Sequence, residues 1–350
     1  MEKFENPLKT DGFAFVEFVT CDRNILHESF INLGFKQAKV GKNHDVLLYQ
    51  QNQIKFFVNN CSDSFARDFY NIHSNSPCSM GFYVENPEEA LKEAVKRGAV
   101  AIENNTDSIW KGIPAIEGIG GSIIYLVSRK DEFLQLFDKI NSENYEVNYI
   151  SKAGLEQIDH LTHNVYRGNM QKWADFYTNI FGFRQIRYFD IDGKITGLFS
   201  KAMTSACGKI KIPLNESKDD KSQIEEFLQE LNGEGIQHIA LTAKDIYSSI
   251  EHISSLGIKL LSTPDTYYEL IDKRLPNHGE DIERLKKLGI LIDGTTEPQR
   301  KLLLQIFTQN LLGPTFFEII QRKGDEGFGE GNFQALFDSI ELDQVRRGIL

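Results

Sequence analysis

The sequence predicts an α+β protein built from two diverged copies of one unit, each copy a pair of β-α-β-β(-β) modules. Three observations predict it. Two stretches align along most of the chain; short apolar or alternating segments flank amphipathic helical ones in both; and 350 residues suit two ordinary domains better than one small core.

The repeat begins with Asp11-Gly12 followed by Phe30–Gln37, which match Asp159-His160 followed by Phe176–Gln185. Ile54–Asn59 matches Ile210–Asn215, Ser79–Gly98 matches His238–Gly257 without a gap, and Gly121–Arg129 falls on Pro314–Arg322. The offset grows from 148 (160 minus 12) to 193 (322 minus 129), so insertions accumulate toward the C-terminus while local registers hold. Where the second copy has His160, His238 and Glu318, this alignment gives the first copy Gly12, Ser79 and Tyr125. A copy that keeps the scaffold without ligand-type residues at three scattered positions implies that those positions share one task.

Period-two alternation and apolar runs predict strands at Phe13–Thr20, Val46–Tyr49 and Ile54–Val58 around a helix over Ile25–Leu33. The next module repeats the logic with a strand at Met80–Val84, an Ala/Leu/Val-periodic helix over Pro87–Arg97, and strands at Ala99–Ile102 and Ser122–Val127. The polar, helix-like stretch Arg129–Ser151 is expected to hold the interdomain connection, which divides the chain into 1–150 and 151–350. The second half carries an insertion, Tyr267–Arg300, with a helix over Ile282–Leu288. After Arg322, the glycines 324, 327, 329 and 331 precede an amphipathic run, Phe333–Val345, that reads as a glycine-jointed terminal helix able to cover a site.

A formal net charge of -11 without a basic stripe argues against nucleic acid as the main partner. No run of about 18 apolar residues and no apolar leader is visible, so a cytoplasmic protein is expected, and the four cysteines, without a CxxC pair, are read as reduced thiols.

Three residues carry the chemistry. Alternation puts His160, Thr162 and Asn164 on one face of their strand; His238 opens the equivalent strand of the last module, and Glu318 lies in Phe316–Ile320 with Phe316 and Ile320 on its side. A carboxylate among such neighbours is costly to bury without a cationic partner. Two imidazoles and a carboxylate with open positions suit a non-haem Fe(II). Separations of 78 (238 minus 160) and 80 (318 minus 238) residues exclude a local metal motif, and only the repeat relates the three. His27, His44, His73, His163, His252 and His278 are read as ordinary structural or surface histidines.

The surroundings of these residues, namely Ile212–Glu216, Ser222–Leu228, Gly233–Ala240, Leu304–Thr308, Phe316–Arg322 and Gly327–Phe333, together resemble the 4-hydroxyphenylpyruvate dioxygenases, most strongly from Ile158 to Glu341. The resemblance implies a vicinal oxygen chelate fold: paired βαβββ modules form two half-open barrels with a C-terminal helix, and only the second half binds iron. It implies one Fe(II) per chain on His160, His238 and Glu318, polar substrate contacts from Ser200 and Asn215, catalytic glutamines at Gln223, Gln237 and Gln305, and aromatic walls from Phe307, Phe316, Phe328 and Phe333. The implied reaction, part of tyrosine catabolism, converts 4-hydroxyphenylpyruvate and dioxygen to homogentisate and carbon dioxide by oxidative decarboxylation, ring hydroxylation and side-chain migration. Homodimers or homotetramers built through the first half are implied as well. The rivals are 4-hydroxymandelate synthase, which oxidises the benzylic carbon of the same substrate, an extradiol dioxygenase, and a metal-free binding protein on the same scaffold.

Overall fold

Runs of β-branched and aromatic residues pair into two eight-stranded sheets in the computed structural model, which describes residues 4–22, 24–42, 45–103, 107–139, 153–192, 197–332 and 335–336. The first half contributes β1 (Thr10–Val19), β2 (Lys36–Gly41), β3 (Val46–Gln51), β4 (Ile54–Asn59), β5 (Ser76–Val84), β6 (Ala115–Glu117), β7 (Ile123–Ser128) and β8 (Phe137–Lys139). The second contributes β9 (Leu155–Val165), β10 (Arg184–Asp192), β11 (Gly197–Thr204), β12 (Lys211–Ser217), β13 (Gly235–Ala243), β14 (Leu291–Thr295), β15 (Lys301–Phe307) and β16 (Phe316–Lys323).

The duplication is visible in the topology. The order β6-β7-β5-β1-β4-β3-β2 returns as β15-β16-β13-β9-β12-β11-β10, with β8 and β14 as added edges. Both sheets join their two modules through one antiparallel pair, β1 with β5 and β9 with β13, flanked by parallel pairs. Each remains an open half-barrel.

Register corrects one partner in the repeat. Gly81 faces Tyr125 as Ala240 faces Glu318, so Tyr125 and Ser79 do stand in the places of Glu318 and His238. Gly81 also faces Phe15 as Ala240 faces His160, so the counterpart of His160 is Phe15 and not Gly12; the starting offset is 145 (160 minus 15). The Asp-Gly and Asp-His likeness lies three residues out of this register; the β-bulges of β1 and β9 fall at equivalent places and leave the offset unchanged. Ala14 is the extra residue in β1 and Asp159 in β9, while Cys78 and Gln237 are extra in β5 and β13.

Phe15 fills the interior of the first half. Its ring stacks on Trp110 at 4.9 Å, with Phe57, Tyr125 and Phe133 around it, and a β-carbon on Gly81 would lie 2.4 Å from that ring. Beneath the plug, Glu17 accepts hydrogen bonds from Ser79 Oγ (2.6 Å), Trp110 Nε1 (2.9 Å) and Asn59 Nδ2 (3.1 Å). Burial outweighs these donors and lifts the Glu17 carboxyl to about 7. A folded-state value above the unfolded one contributes stability that is complete below about 4.5 and is lost as pH rises through about 7. In Glu17→Gln, the amide oxygen can keep Trp110 and Asn59 while its nitrogen donates to Ser79 Oγ. The substitution is expected to raise the melting temperature at pH 8, by the equivalent of up to about 3 kcal/mol, and to flatten its pH dependence. Parallel melting-temperature curves for the two proteins between pH 5 and 8 would refute this.

The halves share a core. Phe317, on the opposite face of β16 from Glu318, packs against Phe18, Phe30 and Phe56 of the first half. Ile282–Leu288 is the expected helix. Ala99–Ile102 is not a strand: Ala101 makes one isolated bridge to Ile116. Of the expected polar connection, Glu132–Leu136 forms a 3-10 turn and Phe137–Lys139 pairs with β2 as an edge strand, while residues 140–152 lie outside the described ones. The helix Ser64–His73, capped by Asp63 on the Ala66 amide, was not anticipated.

The cysteine reading also needs correction. Cys21 and Cys61 are disulfide-bonded, with Cα atoms 5.4 Å apart. They follow the ends of the parallel neighbours β1 and β4, a proximity that a sequence separation of 40 conceals. Cys78 and Cys207 are free. No helix among the described residues is long and apolar enough to cross a membrane.

Candidate active site

Adjacent strands β9, β13 and β16 bring the three residues together. His160, Ala240 and Glu318 form one row across the sheet, extended by Phe307 on β15; Thr162, His238 and Phe316 form the next. Glu318 Oε2 lies 3.1 Å from His160 Nε2 and 3.4 Å from His238 Nε2, and the two Nε2 atoms are 3.4 Å apart. Three atoms mutually cis on an octahedral ion with bonds of about 2.1 Å stand roughly 3 Å from one another. Donors on a tetrahedral ion stand roughly 3.4 Å apart, so spacings of 3.1 to 3.4 Å fit three donors on one side of a single ion in either geometry, with its remaining positions left for other ligands. Among the described residues this is the one group of three or more His, Cys, Asp or Glu side chains placed to hold a metal.

The electrostatics suit a cation. Burial alone would raise the Glu318 carboxyl, but His160 and then His238 reverse the effect and hold it at about 2. The carboxylate is thus charged at neutral pH, and its favourable contribution, present above about 4.5, is lost only as pH falls through about 2. Burial depresses His160, yet Asp159 and Glu318 raise it above its ordinary value; His238 is lowered, first by burial, against the pull of Glu318.

Each imidazole is oriented through its other nitrogen. Asp159 Oδ1 lies 2.9 Å from His160 Nδ1, and Gln237 Oε1 lies 3.0 Å from His238 Nδ1. Both partners are bulge residues, which explains how side chains adjacent in sequence reach the same side of a strand. Thr162 Oγ1 sits 2.9 Å from His238 Nε2. Aromatic rings close over the pair: Phe316 stacks on His238 at 5.0 Å, Phe307 meets it edge-on at 6.3 Å, and Phe328 meets His160 edge-on at 5.3 Å.

A polar row runs beside the trio. Ser200 faces Asn215, Asn215 faces Asn164, and the fully buried Asn164 amide has no hydrogen-bond partner among the described residues. Gln305 is buried with its Oε1 likewise unpaired, close beneath the glycine loop: a β-carbon on Gly329 would lie 1.7 Å from that oxygen.

The structure thus gathers His160, His238, Glu318, Gln237, Phe307, Phe316 and Phe328 into one cluster of contacts. Gln223, expected in the pocket, is exposed at the first turn of the helix Gln223–Leu231, whose buried face is formed by Ile224, Phe227, Leu228 and Leu231. Phe333 and most of the terminal run lie outside the described residues. Asp159 and Arg322 were missed as site residues because alternation turns Asp159 away from His160; only the bulge restores it. Ordinary roles hold for His163, on Tyr177 with its imidazole pushed down by burial to about 3, and for His27, His73 and His278, on Tyr49, the Leu231 carbonyl and Asp272. His44 lies outside the described residues.

Comparisons with known proteins agree with this geometry. Residues 4–142 match the family model of the N-terminal part of hydroxyphenylpyruvate dioxygenase, and residues 157–270 match that of the glyoxalase/bleomycin resistance protein/dioxygenase superfamily. A 4-hydroxyphenylpyruvate dioxygenase of Legionella pneumophila is 53% identical over 99% of this chain and 98% of its own length; one of Pseudomonas aeruginosa is 50% identical over 99% and 97%. The fold is shared with a mutant 4-hydroxymandelate synthase from Streptomyces coelicolor, with a TM-score of 0.79 and 23% identity over 96% of this chain and 99% of that one. Half-identical relatives aligned from end to end, together with a twice-repeated half-barrel of which the second copy carries the His160, His238 and Glu318 cluster, place the chain in the 4-hydroxyphenylpyruvate dioxygenase family.

Proposed function

We propose that the chain is an Fe(II)-dependent dioxygenase that converts 4-hydroxyphenylpyruvate and dioxygen to homogentisate and carbon dioxide, with His160, His238 and Glu318 as the metal ligands. The convergence of their three donor atoms to within 3.4 Å of one another carries the reading. Fe(II) held by these three side chains would supply the redox chemistry that activates dioxygen for oxidation of an α-keto acid.

The chain's own residues orient the reactants and exclude water. Asp159 and Gln237 fix the two imidazoles, Phe307, Phe316 and Phe328 provide apolar walls for the substrate ring, and Ser200, Asn215 and Gln305 offer hydrogen bonds to its polar ends. Within this reading, residues 151–350 are the catalytic domain and residues 1–150 a non-catalytic one whose interior the Phe15 plug closes. Assembly into homodimers or homotetramers through the first half belongs to the same proposal; Ile25 and Ile31, exposed on the helix Asn24–Asn32, offer apolar surface there.

Anaerobic reconstitution with Fe(II) and 4-hydroxyphenylpyruvate, followed by dioxygen and product chromatography, is expected to give homogentisate and carbon dioxide, one of each per dioxygen consumed. 4-Hydroxymandelate as product would replace this reading by the synthase, and an absence of oxygen consumption in the iron-loaded protein would reject both enzymes.

A further inference from the structure

The carboxylate that orients His160 is itself gripped. Arg322 Nε and Nη2 donate to the two oxygens of Asp159 at 2.9 and 2.7 Å, a two-pronged pair, while Asp159 Oδ1 faces His160 Nδ1 at 2.9 Å. The remaining nitrogen of the same guanidinium, Nη1, donates to the backbone carbonyls of Asp325 (3.1 Å) and Gly327 (2.7 Å). The next residue is Phe328, whose ring lies edge-on to His160 and 5.9 Å from the Arg322 guanidinium. His160, Asp159, Arg322, the 325–327 backbone and Phe328 therefore form a closed circuit of contacts. Lys211 reinforces it, 3.6 Å from Asp159 Oδ2 and 3.3 Å from Glu326.

The first half shows what the circuit is not needed for. Arg129 occupies the place of Arg322, four residues beyond Tyr125 as Arg322 is four beyond Glu318, but the bulge there carries Ala14 instead of an acid. Arg129 turns to the surface residue Asp11 and stands over the Tyr83 ring. Strand and arginine persist in both halves; the link from arginine to a ligand histidine exists only where the metal trio does.

We infer that Arg322 is a positioning residue that couples metal binding at His160 to closure of the 324–332 segment, so that each favours the other. The inference rests on the metal reading given above. Coupling between two sites is reciprocal: if closure orients the imidazole, occupancy of the metal site must tighten the segment. A guanidinium suits the task because one rigid plane serves both partners at once, whereas an ammonium is a single point charge.

The test uses Co(II) alone, without substrate, on the full chain. Its visible absorption bands report binding, and the rate of thermolysin cleavage within the 324–332 segment reports closure. In the unaltered protein, Co(II) is expected to slow this cleavage. Arg322→Lys, which keeps the charge and loses the fork, is expected to weaken Co(II) binding roughly 10- to 100-fold and shift the bands. At saturating Co(II), protection of the segment should be lost. Asp159→Asn, similar in shape, is expected to do the same and serves as the test if the arginine variant does not fold. Unchanged Co(II) affinity in a folded variant, or undiminished protection of the segment, overturns the coupling. An unaltered protein that gives no Co(II) bands overturns the metal reading instead.

Discussion

Glu318→Ala is expected to abolish oxygen consumption with 4-hydroxyphenylpyruvate and to leave the purified protein without stoichiometric iron. The carboxylate is the only anionic member of the trio, and its oxygen is the atom within 3.4 Å of both histidine nitrogens. Without it, a divalent ion would meet two neutral donors with no compensating charge inside a buried pocket. The loss should exceed the roughly 10- to 100-fold that removal of a group orienting a metal ligand costs. Folding should survive, because Glu318 faces the barrel interior while Phe317 and Ile319, on the other face of β16, hold the strand in the shared core. Glu318→Gln refines the test: it keeps the volume and one carbonyl oxygen while removing the charge, so a defect equal to that of Glu318→Ala locates the requirement in charge. Substantial turnover by Glu318→Ala, with iron retained, would remove the residue from the ligand set.

The trio was legible because the two halves keep the same strands, so unequal residues at equivalent places stand out. His238 and Glu318 were matched to their true counterparts, Ser79 and Tyr125, since β5, β7, β13 and β16 pair in the same register in both halves. The His160 counterpart was misread because a short Asp-Gly and Asp-His likeness outweighed the strand register, which holds one offset of 145 from Phe15 to Glu17. A bulge, which hydropathy alternation cannot reveal, concealed Asp159 and the orienting contact of Gln237: strict period two turns both away from the histidines that they serve. The Cys21–Cys61 bond was hidden for another reason, since it depends on β1 and β4 being neighbours, a long-range fact that no local pattern encodes. Gln223 illustrates the converse, a residue chosen by likeness to a family motif that the fold leaves exposed at a helix start.

Gly329→Ala is expected to lower kcat/KM by about 100-fold, the scale of a misplacement of about an ångström at a reacting centre, with little change in the melting temperature. Gly329 has φ +75°, and a β-carbon there would lie 1.7 Å from Gln305 Oε1 and 2.5 Å from the Gln305 amide carbon. Gln305 is buried on β15, so relief of the clash displaces either its amide, assigned above to the substrate, or the glycine loop. Movement of the loop takes Phe328 off His160 and breaks the hydrogen bond from the Gly331 amide to Asp293 at 2.7 Å. Gly324→Ala is the matched control: its φ of +93° imposes similar backbone strain, but the atoms nearest its new methyl are 3.6 Å away, at ordinary contact distance. If strain in the glycine joints alone governed the segment, the two variants would be equally impaired. If the seating of the loop on Gln305 governs it, Gly324→Ala keeps most of its activity while Gly329→Ala does not. Equal activity of Gly329→Ala and the unaltered protein would mean that Phe328 need not sit against His160 during turnover.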